Sequence, residues 1–255
     1  MATALISDLH SNTEALTEVF KDIKANHCDQ IYCLGDLVGY GPDPIEVVEM
    51  CYETRICLLG NHDEGVLKNS YGFNPIARQA IEWTRKQLQP GWLSGSRKKK
   101  IWSFLQSLPI VYKVDDILFV HASPRDPVME YILRTDCVDL FGRASDKIAD
   151  IFTKIEWLCF AGHTHDPGVI TQEGQFIRPQ ECDSYYKFER GKRYIINVGS
   201  TGQPRDGDTR ACYAIFDGES VRFRRVEYDY RKTMEKIFGN PDLDRKLGER
   251  LALGK

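Results

Sequence analysis

Two histidines one residue apart, in Ala161-Gly162-His163-Thr164-His165-Asp166-Pro167-Gly168, follow directly on the apolar run Trp157–Ala161. Residues two apart in extended backbone face the same side, so His163 and His165 could present both imidazoles to one point. Other apolar runs end the same way, in Asp8 and His10, in Asp36, in Asn61 and His62 with Asp63 behind them, and in His121. Five of the six histidines stand at such ends and only His27 does not. Imidazole suits zinc, iron, manganese and nickel, while carboxylate and amide oxygens suit harder ions. A carboxylate has two oxygens and can bridge two ions; a pair roughly 3.5–4 Å apart can hold both the attacking and the leaving oxygen of an in-line displacement.

Taken singly, each motif has an ordinary structural reading. Gly35 and Gly39 could serve a turn, Asn61 or Asp63 could cap a helix, and His121 alone could be a buried structural histidine. What raises the set above its parts is where the residues fall along the chain. ATALISD, IYCLGD and ICLLGN are three short apolar runs. Between the first two lies a helical pattern over about 14–26, and between the second and third a short helix that starts near Pro44. Strand, helix, strand, helix, strand implies a parallel sheet with right-handed crossovers. Ligands in such sheets gather beyond the carboxyl ends of the strands, where all of these residues would lie.

The middle of the chain reads as helical, over about 74–90 with Asn74 as cap and Pro75 in first position, and again over about 97–107. PIVYKV and ILFVH resume the strand pattern, ending on His121, and a helical region is expected over about 136–153. After residue 168 short β runs dominate, with Asp217-Gly218 as a hairpin turn. The tail from about 231 reads as helical. No repeat or low-complexity linker divides the sequence, so a single domain is expected, with a helical insert at about 70–108 and a helical C-terminal tail at about 231–255.

With 255 residues the chain can bury a sizeable core, and 42% apolar and 28% charged residues are ordinary for a globular protein. A net charge of −3 gives no pull toward nucleic acid or anionic membrane, and the basic run Arg97-Lys98-Lys99-Lys100 reads as a solvated helix start. The N-terminus reads as a strand rather than a signal peptide, and no apolar run is long enough to span a membrane. Eight cysteines form no C-x-x-C pair, and several sit inside apolar runs. Reduced thiols and a cytoplasmic location are the expectation.

In order, D-L-H at 8–10, G-D-L-V-G at 35–39, G-N-H-D at 60–63, V-H at 120–121 and G-H-T-H at 162–165 resemble the motifs of the calcineurin-like metallophosphoesterases. GDLVGYGPDP, VHASPRDP and NVGSTGQPRDGD resemble a bacterial phosphodiesterase-type branch of that family. The resemblance implies an α/β fold, a two-sheet α/β/β/α sandwich. It also implies two divalent metal ions per chain, drawn from manganese, iron, zinc or nickel. Asp8, His10 and His165 would hold one ion and Asn61, His121 and His163 the other, with Asp36 bridging. A water or hydroxide between the ions would attack the phosphorus. His62 would face the substrate and protonate the leaving oxygen or steady the phosphoryl charge, with Asp63 orienting its imidazole from behind.

Arg205 could reach a phosphate oxygen through its planar fork, or pair with Asp206 or Asp208 to fix its loop. The implied substrate is a small phosphoester, a diester before a monoester. Two rivals are weaker. A metallo-β-lactamase-like site needs H-x-H-x-D-H, and Pro167 and Gly168 stand where its Asp and His should be. A non-catalytic scaffold on the same fold should have lost ligands, and none is missing.

Overall fold

A computed structural model describes residues 2–255. The strands are β1 (Thr3–Ile6), β2 (Gln30–Cys33), β3 (Ile56–Cys57), β4 (Val111–Val114), β5 (Ile117–Val120), β6 (Leu158–Ala161), β7 (Gly168–Thr171), β8 (Phe176–Ile177), β9 (Tyr185–Lys187), β10 (Tyr194–Asn197), β11 (Ala211–Phe216) and β12 (Ser220–Val226). The helices are α1 (Thr13–Ala25), α2 (Pro44–Met50), α3 (Asn61–Leu67), α4 (Pro75–Leu88), α5 (Ser96–Ser107), α6 (Asp146–Phe152), α7 (Tyr230–Phe238) and α8 (Arg245–Leu251).

Two mixed six-stranded sheets result, ordered β3-β2-β1-β11-β12-β9 and β4-β5-β6-β10-β7-β8. As expected, β1, β2 and β3 run parallel, and the antiparallel β11–β12 hairpin extends their sheet from the β1 edge. Alternation along each strand decides which layer a side chain joins. On β6, Leu158 and Phe160 point between the sheets, whereas Cys159 and Ala161 join the layer under α6. On β1, Leu5 faces the inter-sheet core, while Ala4 and Ile6 face Leu16, Val19 and Ile23 of α1. Apolar packing on both faces of both sheets makes the four-layer α/β/β/α sandwich.

α4 and α5 cover the region near α2 and α3, and α7 and α8 pack on α4 through Ala77, Ala80, Trp83, Ile237, Leu247 and Leu251. Lys236 fastens α7 to Glu14 of α1 and to Asp43, each at 2.7 Å. The basic run opening α5 is tied down: Arg97 forks onto Glu49 at 2.7 Å, and the Lys100 ammonium lies 4.5 Å from the centre of the Tyr52 ring. All eight cysteines are free. No helix among the described residues is long and apolar enough to cross a membrane.

One local expectation fails, and one strand lies outside the expected set. The helical region expected over 136–153 shrinks to α6. Gly142, at φ +74°, and the Asp139 carboxylate, which accepts from the Phe141 and Arg143 amides, turn the chain before Ser145 caps α6. β9 is absent from the expected β runs because it is only three residues long; its pairing with β12 defines it, with Tyr186 and Phe188 turned to the inter-sheet core.

Candidate metal centre

The residues picked out by type lie just beyond the carboxyl ends of β1, β2, β3, β5 and β6, so the two sheets deliver them to one rim. Asp8, His10, Asp36, Asn61, His62, His121, His163 and His165 are all buried. Five of them hold a left-handed backbone: φ is 53° at Asp8, 45° at His10, 53° at Asp36, 67° at His163 and 60° at His165. A non-glycine residue in that region costs on the order of 1–2 kcal/mol, and such strain collects at functional sites. It also overturns the extended-chain reading of His163 and His165. Their backbone is not extended, and the two rings go to different clusters.

In the first cluster, Asp8 Oδ1 is 3.1 Å from His165 Nε2, and His165 Nε2 is 3.2 Å from His10 Nε2. The second has His121 Nε2 3.2 Å from His163 Nδ1 and 3.1 Å from Asn61 Oδ1. Asp36 stands between them, its Oδ2 3.7 Å from His10 Nε2 and 3.5 Å from His121 Nε2. Its other oxygen, Oδ1, accepts the His62 amide at 2.8 Å, where α3 begins, which holds Oδ2 toward the histidines.

Hydrogen-bond accounting shows what these groups can hold. The second ring nitrogen of each histidine meets a backbone carbonyl: His10 Nδ1 meets Val38 O at 3.2 Å, His121 Nδ1 meets Leu34 O at 2.9 Å, His163 Nε2 meets Met129 O at 3.2 Å and His165 Nδ1 meets Gln203 O at 2.5 Å. A carbonyl only accepts, so each of those nitrogens carries the proton. Burial, first among the causes, pushes the pKa of all four rings below the usual histidine value, which keeps them neutral. The lone pairs then face one another in two pairs, His10 with His165 and His121 with His163, each across 3.2 Å and beside two buried carboxylates. Such an arrangement repels itself unless cations lie within it, and ring N–H donation to carbonyls is the usual way a ligating histidine is oriented.

The carboxylates agree. Burial opposes ionisation of Asp8, and what pulls its carboxyl far below the usual range is positive charge at the His165, His121 and His10 positions, charge that a cation supplies where the rings are neutral. Burial and the neighbouring Asp63 and Asp8 push Asp36 up, the mark of a negative group short of a positive partner. The donor set of imidazole nitrogen and carboxylate oxygen therefore fits metal. Asp8/His10/His165 and Asp36/His121/His163 each bring their ligand atoms within 4.8 Å of one another, as do His10/Asp36/His62.

Glycines allow the close approach. A Cβ on Gly60 would strike the Asp36 carboxylate and amide, and one on Gly162 would strike Ser7 and the Asp8 carboxylate. Asn197, at the end of β10, fixes the histidine loop by donating to Gly162 O at 2.6 Å and Thr164 Oγ1 at 2.8 Å.

His62 lies in an aromatic niche, 4.3 Å from Tyr40, 4.8 Å from His10 and 5.1 Å from Phe73, ring centre to ring centre. Its buried Nδ1 has no partner among the described residues. Burial, then Arg205, holds its pKa well below the usual value. The expected backing by Asp63 is not found. The Asp63 carboxylate accepts instead from the amides of Gly60 at 3.0 Å, Val38 at 3.1 Å and Leu37 at 3.3 Å, stitching the Asp36 loop to the start of α3. Arg205 pairs with neither expected aspartate. Asp206 is taken by Arg225 and Asp208 by Arg210, leaving the Arg205 guanidinium on Gln203 Oε1 at 2.8 Å and over the Tyr40 ring.

A sequence model of the calcineurin-like phosphoesterase family matches residues 1–197. The chain belongs to that family. It is a metallophosphoesterase and a phosphoric ester hydrolase, which removes the scaffold reading. An uncharacterized protein of Methanocaldococcus jannaschii is 41% identical to it, with 99% of this chain and 98% of that one covered. The crystal structure of a metallophosphoesterase from Sphaerobacter thermophilus superposes with a TM-score of 0.80 at 37% identity, over 100% of this chain and 99% of that one. A symmetrical bis(5'-nucleosyl)-tetraphosphatase of Nitrosococcus oceani is 27% identical over 48% of this chain and 44% of its own length.

Around this metallophosphoesterase centre the structure adds residues that motif reading missed. Tyr131 stacks on His163 with ring centres 3.8 Å apart, and the neighbouring Met129 supplies the carbonyl for the same ring. Between them Glu130 is held by Ser123 and Arg125, and Arg125 reaches Asp150 of α6 at 3.0 Å. The VHASPRDP segment thus straps residues 129–131 onto the histidine loop. Its spacing was visible in the sequence; its partner Glu130, three residues beyond the segment's end, was not. Beyond residue 197, Ser200 binds Asp8 O at 2.8 Å and Gln203 O holds His165.

Proposed function

We propose that this metallophosphoesterase hydrolyses small phosphoesters with two divalent ions, one in the Asp8/His10/His165 cluster and one in the His121/His163/Asn61 cluster, with Asp36 between them. The observation that carries the reading is the set of four neutral histidines whose lone pairs converge on Asp8 and Asp36 in two adjoining groups. Bound there, the ions supply Lewis-acid charge that acidifies water and steadies phosphoryl oxygens. The chain's own part is to fix the ligands through the Val38, Leu34, Met129 and Gln203 carbonyls. His62, whose buried Nδ1 has no hydrogen-bond partner among the described residues, offers a proton or hydrogen bond to the leaving oxygen. Arg205, not neutralised by an aspartate, offers its fork to a phosphoryl oxygen.

A phosphorus substituted on two sides is the preferred centre. Support comes from the phosphodiesterase-type motifs and from the tetraphosphatase relative, whose named substrates contain such centres. The test is a substrate panel on manganese-reconstituted protein: bis(p-nitrophenyl) phosphate, p-nitrophenyl phosphate, nucleoside mono- and triphosphates and cyclic nucleotides. The diester reading expects kcat/KM for disubstituted phosphates to exceed that for monoesters at least tenfold. The reverse order makes the protein a phosphomonoesterase, and no turnover on any ester contradicts the proposal.

A further inference from the structure

Directly after His165 in the chain, Asp166 and Pro167 form part of the lining of an open cleft of about 200 Å³. Three arginines from separate segments line it: Arg134 from the 3-10 turn Arg134–Asp136, Arg178 just after β8, and Arg205 in the loop after β10. Compact side chains of one charge converge this way at some electrostatic cost, and the usual remedy, a carboxylate for each, is missing. Asp136, on the same turn as Arg134, is taken by Lys147 at 2.7 Å, leaving the Arg134 guanidinium without an ion pair among the described residues. Arg178 has a 3.4 Å tie to Glu181. Arg205 bonds the neutral amide of Gln203. Of the two cleft carboxylates, Asp206 is committed to Arg225, and only Asp166 remains to face the arginines. With a net charge of −3 for the whole chain, this positive concentration is local.

Planar guanidinium forks match phosphoryl oxygens geometrically as well as by charge. The cleft also adjoins the place where a phosphoryl group would be cut. The Arg205 amide meets His165 O at 3.4 Å, and the Arg205 charge is felt by His62, His10 and His165. One arginine thus belongs both to the edge of the metal centre and to the cleft.

We propose that the Arg134–Arg178–Arg205 cleft binds a second phosphoryl group of the substrate, joined through a bridging oxygen to the one hydrolysed at the metal centre. The inference rests on the phosphoesterase reading and narrows it: the preferred substrates are organic polyphosphates, phosphates linked in series on an organic group. In the step implied, the oxygen of water bonds to the phosphorus at the metal centre. The P–O bond to the bridging oxygen breaks, that oxygen keeps the electron pair, and the two protons of water leave to the departing phosphate and to solvent. The arginines hold the neighbouring phosphoryl group and offset the charge that grows on the bridging oxygen, so they act most on substrates that have one.

The experiment compares wild type with Arg134→Ala/Arg178→Ala on adenosine triphosphate and on bis(p-nitrophenyl) phosphate, which lacks a second phosphoryl group. The readout is the ratio of the two kcat/KM values. It should fall at least tenfold in the double variant and stay unchanged in Arg97→Ala, which removes an equal charge per site from the distant Glu49 pair. Both cleft arginines are exposed, and a melting temperature within a few degrees of wild type confirms folding; Arg134→Gln alone, with a smaller fall in the same ratio, replaces the double variant if it does not fold. An unchanged ratio overturns the proposal. If the wild type turns over neither compound, the phosphoesterase reading fails separately. Calorimetry of the manganese-loaded protein at constant free manganese then decides the cleft: pyrophosphate should bind at least tenfold tighter than phosphate, and the double variant should lose that advantage. Equal binding of the two anions by the wild type, or an advantage kept by the variant, overturns it.

Discussion

Gly162→Ala should damage the first ligand cluster through one methyl group. A Cβ at this position would lie 2.5 Å from Asp8 Oδ2 and 2.7 Å from Ser7 Cβ, and against Ser7 Oγ. Restoring ordinary contact at about 3.4 Å asks the carboxylate to move by about 0.9 Å, whereas ligand distances tolerate about 0.2 Å. The backbone cannot retreat instead. Gly162 N donates to His121 O at 2.9 Å, and Gly162 O accepts from Asn197 Nδ2 at 2.6 Å and Thr164 N at 2.8 Å. Overpacking of a rigid site costs about 1–3 kcal/mol. The variant should lose that much stability in urea unfolding and bind its metal more weakly, with turnover falling in step with metal content. Gly91→Ala, where the nearest atom to the new Cβ is Ser94 Oγ at 3.9 Å, should change neither quantity beyond about 0.5 kcal/mol or its equivalent. A Gly162→Ala protein with wild-type stability and full metal content would refute the packing argument.

Two further outcomes follow from single groups. His62→Gln should keep its metal yet lose roughly 10²–10⁴-fold on alkyl phosphoesters and far less on nitrophenyl esters, since only a basic leaving oxygen needs a proton; equal losses on both would make His62 a charge stabiliser. Asp22 of α1 accepts from Arg224 Nη2 at 2.8 Å and Tyr213 Oη at 2.7 Å, and the Arg224 hydrogen bond holds its pKa below the usual value. A lowered carboxyl pKa stabilises above the unfolded value near 3.9, and the benefit disappears as pH falls through the folded value. Asp22→Asn should therefore be about 1–2 kcal/mol less stable than wild type at pH 7, by urea unfolding, with the gap closing below pH 4; a gap independent of pH would contradict the assignment.

Strand ends carrying Asp8, Asp36, Asn61, His121, His163 and His165 could be read from the sequence because ligand-type residues there break an otherwise apolar pattern. The β1–β3 order was legible for a similar reason, each strand being separated by an amphipathic helix. What pattern could not give was backbone hand and long-range partnership. The left-handed φ at five site residues follows from tertiary constraints, so the extended-chain picture of His163 and His165 failed even though both residues reached the site. Asp63 looked like a partner for an adjacent imidazole; its carboxylate is claimed by amides about 25 residues away at Leu37 and Val38. Arg205 looked like a partner for its sequence neighbours, which are taken by Arg225 and Arg210 from β12 and the loop before β11. A helix over 136–153 was overestimated because the Asp139 and Gly142 turn leaves the composition helix-like while redirecting the backbone.

Elemental analysis of wild type and Asp36→Ala, each reconstituted with manganese and desalted, tests the central claim most directly. With Asp36 Oδ2 between His10 and His121, both proposed ions would depend on one side chain. Wild type should retain about two ions per chain, as expected of a two-metal site, and Asp36→Ala should lose most of both while still folding. His27→Ala, exposed in the turn after α1, should retain the wild-type content. A wild type that holds one ion or none, or an Asp36→Ala protein at full occupancy, would contradict the account.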